Sequence, residues 1–201
     1  MKYIIKLHVF AIVLLLASCG TSKLEPLRPD SVIVAFGDSL TAGIGTDAKY
    51  SYPSVLERLS GIKVINAGIS GETTAEGLRR FSSVLMQHSP DLLILIEGGN
   101  DILRNHNKAD TKHNLEQMIQ LARSQNIEIV LLGVPEKSLF SSSAPFYTEL
   151  AQTYDLVFDA EIISSLMRSP SKKSDAVHFN RDGYYEMART IYELLQDNGA
   201  L

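Results

Sequence analysis

The chain has 201 residues, 45% of them hydrophobic and 21% charged, with a formal net charge of −4. That usage belongs to a globular domain rather than a disordered chain, and an acidic balance without a basic stripe argues against a dedicated nucleic-acid binder. A domain of this length can bury a large core without staples, and its single cysteine, Cys19, has no disulfide partner within the chain.

The first element is a leader. Lys2 and Lys6 precede an apolar run from Leu7 to Leu16 interrupted only by His8, followed by Leu16-Ala17-Ser18-Cys19. Positive charge, a short apolar stretch and small residues form a secretory signal too short for a stable membrane span. The tetrapeptide resembles the lipobox of bacterial lipoproteins, which implies cleavage after residue 18, lipidation of Cys19 and export. A membrane anchor without a spanning helix is then expected, on the periplasmic side and more in keeping with the outer membrane, since Gly20 rather than Asp follows the cysteine. Residues 19–30, with Pro26 and Pro29, read as a tether.

From residue 31 the chain alternates. Apolar, β-rich runs at 31–36, 63–66, 92–97, 128–133 and 156–158 are separated by segments of helical spacing. The third run, Leu92-Leu93-Ile94-Leu95-Ile96, is continuously apolar, as a strand covered on both faces requires. Leu115, Met118, Ile119 and Ala122 recur at i, i+3, i+4 and i+7, as do Tyr184, Met187, Ala188, Ile191 and Leu195, with Gly199 as a stop. This pattern predicts a three-layer α/β/α sandwich over residues 31–199 with about five parallel strands. In such sheets ligands bind beyond the carboxyl ends of the strands.

Three strand exits are glycine-rich and polar: Gly37-Asp38-Ser39-Leu40, then residues 66–73 with Gly68, Ser70, Gly71 and Glu72, then Glu97-Gly98-Gly99-Asn100-Asp101. Glycine lets backbone N–H groups approach a ligand. Phosphate binding is disfavoured, because no Gly-Lys-Ser/Thr and no G-x-G-x-x-G follows the first strand. A serine nucleophile needs a base. His88 falls at a helix end and His106 and His113 in polar surroundings, whereas His178 stands three residues after Asp175, just before the last helix. An Asp-x-x-His by itself suits a structural hydrogen bond as well as an oriented catalytic imidazole. Asp38 is expected to cap the helix after the first strand rather than to react.

Taken together, Gly37-Asp38-Ser39-Leu40, Gly71 in Ser-Gly-Glu-Thr, Gly98-Gly99-Asn100-Asp101 and Asp175-x-x-His178 resemble, in order, the four blocks of the GDSL, or SGNH, hydrolase family. The likeness spans residues 32–195 and is greatest to the bacterial periplasmic thioesterase/lysophospholipase branch. It implies Ser39 as nucleophile, His178 as base and Asp175 as its orienter, with an oxyanion hole from Ser39 N–H, Gly71 N–H and the Asn100 side chain. It further implies ester hydrolysis through an acyl-enzyme, by a monomer, on lysophospholipids, aryl esters or thioesters. A carbohydrate O-acetylesterase, and a non-catalytic lipid- or glycan-binding lipoprotein, are the alternatives. No cofactor or metal is expected, as His and Asp show no ligand spacing. Residues 102–106 are a candidate gate or acyl-pocket loop, Arg168, Lys172 and Lys173 a candidate headgroup contact, and Phe140, Phe146 and Tyr147 either groove or core.

Overall fold

A computed structural model describes residues 23–136 and 142–201. The expected leader, Cys19 and Phe140 lie outside the described residues. Five strands form one parallel sheet: β1 (Val32–Gly37), β2 (Lys63–Gly68), β3 (Leu92–Ile96), β4 (Glu128–Leu132) and β5 (Val157–Asp159), in the order β2-β1-β3-β4-β5. Each begins and ends within two residues of the run predicted from hydrophobicity. β3 is buried along its whole length between β1 and β4, which explains its unbroken apolar sequence.

The connections are helical: α1 (Ser39–Ala42), α2 (Tyr52–Ser60), α3 (Thr74–His88), α4 (Gly99–Leu103), α5 (Lys108–Arg123), α6 (Pro145–Thr153), α7 (Ile162–Met167) and α8 (Arg181–Asp197). Helix α2 packs on α8, while α3 packs on α5 and α5 on α6, so the sheet is covered on both faces and the three-layer prediction holds. Phe36 on β1 meets Phe81 on α3 edge to face, their centroids 4.9 Å apart. Phe146 and Tyr147 are core residues of α6.

The segment read as a tether differs from expectation. From Lys23 onward it is part of the folded body: Leu24 is buried in the core, its N–H donates to Asn198 O, and Leu27 N–H donates to Ala200 O. Two leucines spaced three apart bury apolar area that a free spacer would leave in water, and of the two prolines on which the tether reading rested, Pro29 stands in a turn that the Ser31 N–H closes onto Arg28 O. Among the described residues no helix is long and apolar enough to cross a membrane.

Candidate active site

The first strand delivers Ser39 through a tight turn. Asp38 caps α1, its Oδ1 accepting the Leu40 N–H at 3.0 Å, which is the capping role expected of it. Space is minimal. A Cβ on Gly37 would come within 2.2 Å of Ile96 O and 2.3 Å of Thr41 Oγ1, and one on Gly68 within 2.2 Å of Ala42 N. These two glycines therefore let β1, β2 and α1 close together, and Ser39 ends up 7% exposed at the floor of a cleft.

The last loop brings the base. Asp175 Oδ1 accepts the backbone N–H groups of Val177 and His178, both at 2.8 Å, and Oδ2 lies 2.8 Å from His178 Nδ1. That leaves His178 Nε2 3.0 Å from Ser39 Oγ. The chain of contacts Asp175–His178–Ser39 is thus continuous across 139 residues of sequence. Those hydrogen bonds, first the one from the His178 backbone N–H, hold the Asp175 carboxyl well below the usual range. The two halves are pinned near the site: Tyr184 Oη donates to Ile44 O at 2.8 Å, and Asn180 caps α8 by accepting from Asp182 and Gly183 N–H.

Gly71 and Asn100 line the same cleft as Ser39 and His178. Gly71 has φ +81°, a left-handed conformation that favours glycine, and its carbonyl accepts from Arg104 Nη2 at 2.9 Å. Asn100 Nδ2 donates to Glu72 O at 2.9 Å, with Asp38 Oδ2 at the longer distance of 3.3 Å. The N–H directed at Asp38 is the less committed of the two.

Behind this rim stands a buried polar layer that sequence reasoning did not assign. Arg80 on α3 pairs with Glu72, its Nε donating to Oε1 at 2.7 Å and its Nη2 also in contact with Oε2. The same Nη2 donates to Ala67 O at 2.9 Å, and the guanidinium lies 4.0 Å from the Phe36 ring centroid. One side chain thereby joins the exit of β2 to the Gly71 loop. Asp101 accepts Thr74 N–H at 2.9 Å and Thr74 Oγ1–H at 2.7 Å, fixing the start of α3. Glu97, fully buried, accepts Gly98 N–H at 3.2 Å through Oε2, while its Oε1 accepts from no donor among the described residues. Burial, the Asp38 charge and a hydrogen bond with Glu72 push the Glu97 carboxyl well above its ordinary range. Burial likewise raises Asp38 to about 6, opposed by the Leu40 N–H and by His178. The Thr73-x-x-Glu76 spacing that opens α3, whose carboxylate accepts from Thr73 N–H and O–H, was a readable capping signal. The Glu72–Arg80 pair was not, because eight residues separate the partners.

The cleft has a volume of about 480 Å³, within the range of small-molecule sites. Leu40, Ile102, Leu103, Val134, Met167 and Val177 give it apolar walls, and Arg168, Lys173 and Glu136 stand among its lining residues. Arg168 pairs with Glu161 and Lys172 with Glu186. Of the other histidines, His106 and His113 are exposed and His88 is half-buried at the end of α3. Among the described residues, no group of three His, Cys, Asp or Glu side chains is arranged to hold a metal.

A family model described as the GDSL-like lipase/acylhydrolase family matches residues 35–185. The chain belongs to this family. As a member it is similar to the thioesterase 1/protease 1/lysophospholipase L1 of Escherichia coli K12, with 29% identity over 172 residues that cover 82% of this chain and 83% of that protein. It is also similar to the crystal structure of AlinE4, an SGNH-hydrolase family esterase: 31% identity, TM-score 0.66, covering 85% of this chain and 97% of that one. A shorter match, 31% over 114 residues, covers 50% of this chain and 46% of an uncharacterized lipoprotein, YqeF, of Bacillus subtilis. The GDSL-like family and the parallel α/β fold implied by the four sequence blocks are therefore those of the molecule.

Proposed function

We propose that this protein is a serine hydrolase of carboxylic esters working through an acyl-enzyme. The observation that carries this reading is the Asp175–His178–Ser39 relay, with both links at hydrogen-bond distance. Ser39 Oγ attacks the carbonyl while His178 Nε2 takes its proton. Asp175, accepting from Nδ1, holds the tautomer that leaves Nε2 free and stabilises the imidazolium once formed. The tetrahedral oxyanion is received by Ser39 N–H, Gly71 N–H and Asn100 Nδ2, which the Glu72 carbonyl holds at the rim of the cleft. Such donors act before the reaction begins and need no reorganisation during it. His178 then protonates the leaving group, and water repeats the sequence on the acyl-Ser39.

The apolar walls of the cleft support an acyl pocket, and the names of the relatives, a lysophospholipase/thioesterase and an esterase, support lysophospholipid, aryl or thioester substrates. For an exported enzyme the oxygen esters are favoured, because acyl-CoA thioesters are cytoplasmic. Export and a lipid on Cys19 are part of the proposal, supported by the Leu16-Ala17-Ser18-Cys19 sequence and by similarity to a lipoprotein. Hydrolysis of a p-nitrophenyl ester series from acetate to decanoate tests the reading. The wild type is expected to turn over at least the short members, and Ser39→Ala to retain only a trace; equal rates for the two proteins would remove Ser39 from the reaction.

A further inference from the structure

The strap and the catalytic cleft sit at opposite ends of the sheet. Lys23 Nζ pairs with Asp155 Oδ1 at 2.8 Å, two residues before β5 begins. Leu24 borders a groove with Ile127 and Glu128, at the start of β4, and Arg28 lies 3.8 Å from Asp91, just before β3. The strap therefore runs beneath the amino ends of the strands, whereas Ser39, Gly71 and Asn100 follow their carboxyl ends. Helix α8 measures the separation. It starts three residues after His178 and is followed by its C-cap Asn198, whose carbonyl accepts the Leu24 N–H, and its 17 residues rise about 25 Å at 1.5 Å each.

Four peptide steps link Cys19 to Lys23, a reach of at most about 14 Å even when fully extended. A lipid on Cys19 consequently holds the strap edge at the bilayer surface. For the cleft to meet the same leaflet the domain would have to invert, with the chain running some 25 Å along its side, and four residues are too few.

We infer that this enzyme, anchored through Cys19, acts on carboxylic esters arriving from the aqueous phase and not on lipids of the leaflet that anchors it. The inference rests on the proposed hydrolase activity and lipid anchor, and it narrows their substrate class: a lysophospholipid is a substrate when presented from solution, not from beneath.

The test uses the full chain, purified from membranes, with the lipid on Cys19 verified by mass spectrometry, and reconstituted in dioleoyl phosphatidylcholine vesicles. It is compared with a variant carrying a 40-residue Gly/Ser insert between Ser22 and Lys23, whose r.m.s. span is about 35 Å. Both proteins are given a free fluorogenic butyrate ester, and the same ester coupled to the headgroup of dioleoyl phosphatidylethanolamine in their own vesicles. Equal rates on the free ester are expected, with the lipid-borne ester cleaved at least tenfold faster by the extended variant. Equal rates on the lipid-borne ester would overturn the inference while leaving activity and anchor standing. A protein without lipid on Cys19 would overturn the anchor and the inference with it, and failure of both proteins on the free ester would overturn the hydrolase reading.

Discussion

Replacing Glu97 with glutamine probes the buried layer behind the active-site rim. Glu97 directly follows β3 with no exposed surface, next to Asp38 and Glu72, and one of its oxygens meets no donor. Ionised, it would be a desolvated anion beside two other carboxyls; protonated, it is a donor to the Glu72 carboxylate, which Arg80 already neutralises. Its folded-state pKa is raised, so the stability linked to its proton is fully present below the unfolded value and is lost as pH rises through the folded one. Between those limits the unfolded chain releases a proton that the native state keeps, and stability falls by about 1.4 kcal/mol per pH unit. Glutamine keeps the shape and the donor but cannot titrate. The advantage of Glu97→Gln over the wild type should therefore grow from pH 5 upward with that slope until the native proton leaves. Urea unfolding of both proteins at pH 5, 6, 7 and 8 reads this directly, and the titrating groups that do not interact with Glu97 cancel in the difference. A difference that stays constant across the series would mean that Glu97 is ionised in the native state and that the reasoning fails.

Other substitutions separate chemistry from scaffold. Asn100→Ala should lower kcat by roughly 10²–10³, as loss of one oxyanion donor does, with little change in KM for a p-nitrophenyl ester and an unaltered circular dichroism spectrum. Asp175→Ala removes the acceptor of three hydrogen bonds, two of which shape the loop; kcat should fall by several orders of magnitude, and Asp175→Asn should recover the loop's protection from proteolysis without recovering the rate. Gly68→Ala forces a Cβ against the backbone of α1 and should destabilise the fold by about 1–3 kcal/mol, read as a lowered urea midpoint, with activity reduced even below the transition.

Much of this molecule was legible in the sequence because the physics behind it is local. A strand buried on both faces must be apolar throughout, and β3 is; a helix covered on one side must repeat at 3.6, and α5 and α8 do. The site residues could be gathered because parallel strands present their carboxyl ends on a single rim, so Ser39, Gly71 and Asn100 were bound to be neighbours once the order of elements was known. What was not legible depends on tertiary contact. Arg80 reaches Glu72 across about two turns of helix, the Glu97 carboxyl is pushed up only by its surroundings, and the strap 23–31 looks like a spacer until Leu24 finds its place beside Asn198. Prolines and polar residues there describe a chain without regular structure, which is a different property from a chain without contacts.

The central claim is that Ser39 is a nucleophile activated by His178. The most direct measurement is labelling of the purified protein with a fluorophosphonate, alongside Ser39→Ala and His178→Ala, with the adduct located by mass spectrometry. The account predicts a stoichiometric adduct on Ser39 in the wild type, none in Ser39→Ala, and labelling slowed by orders of magnitude in His178→Ala. A folded wild type that stays unlabelled at Ser39, or labels equally fast without His178, would contradict it.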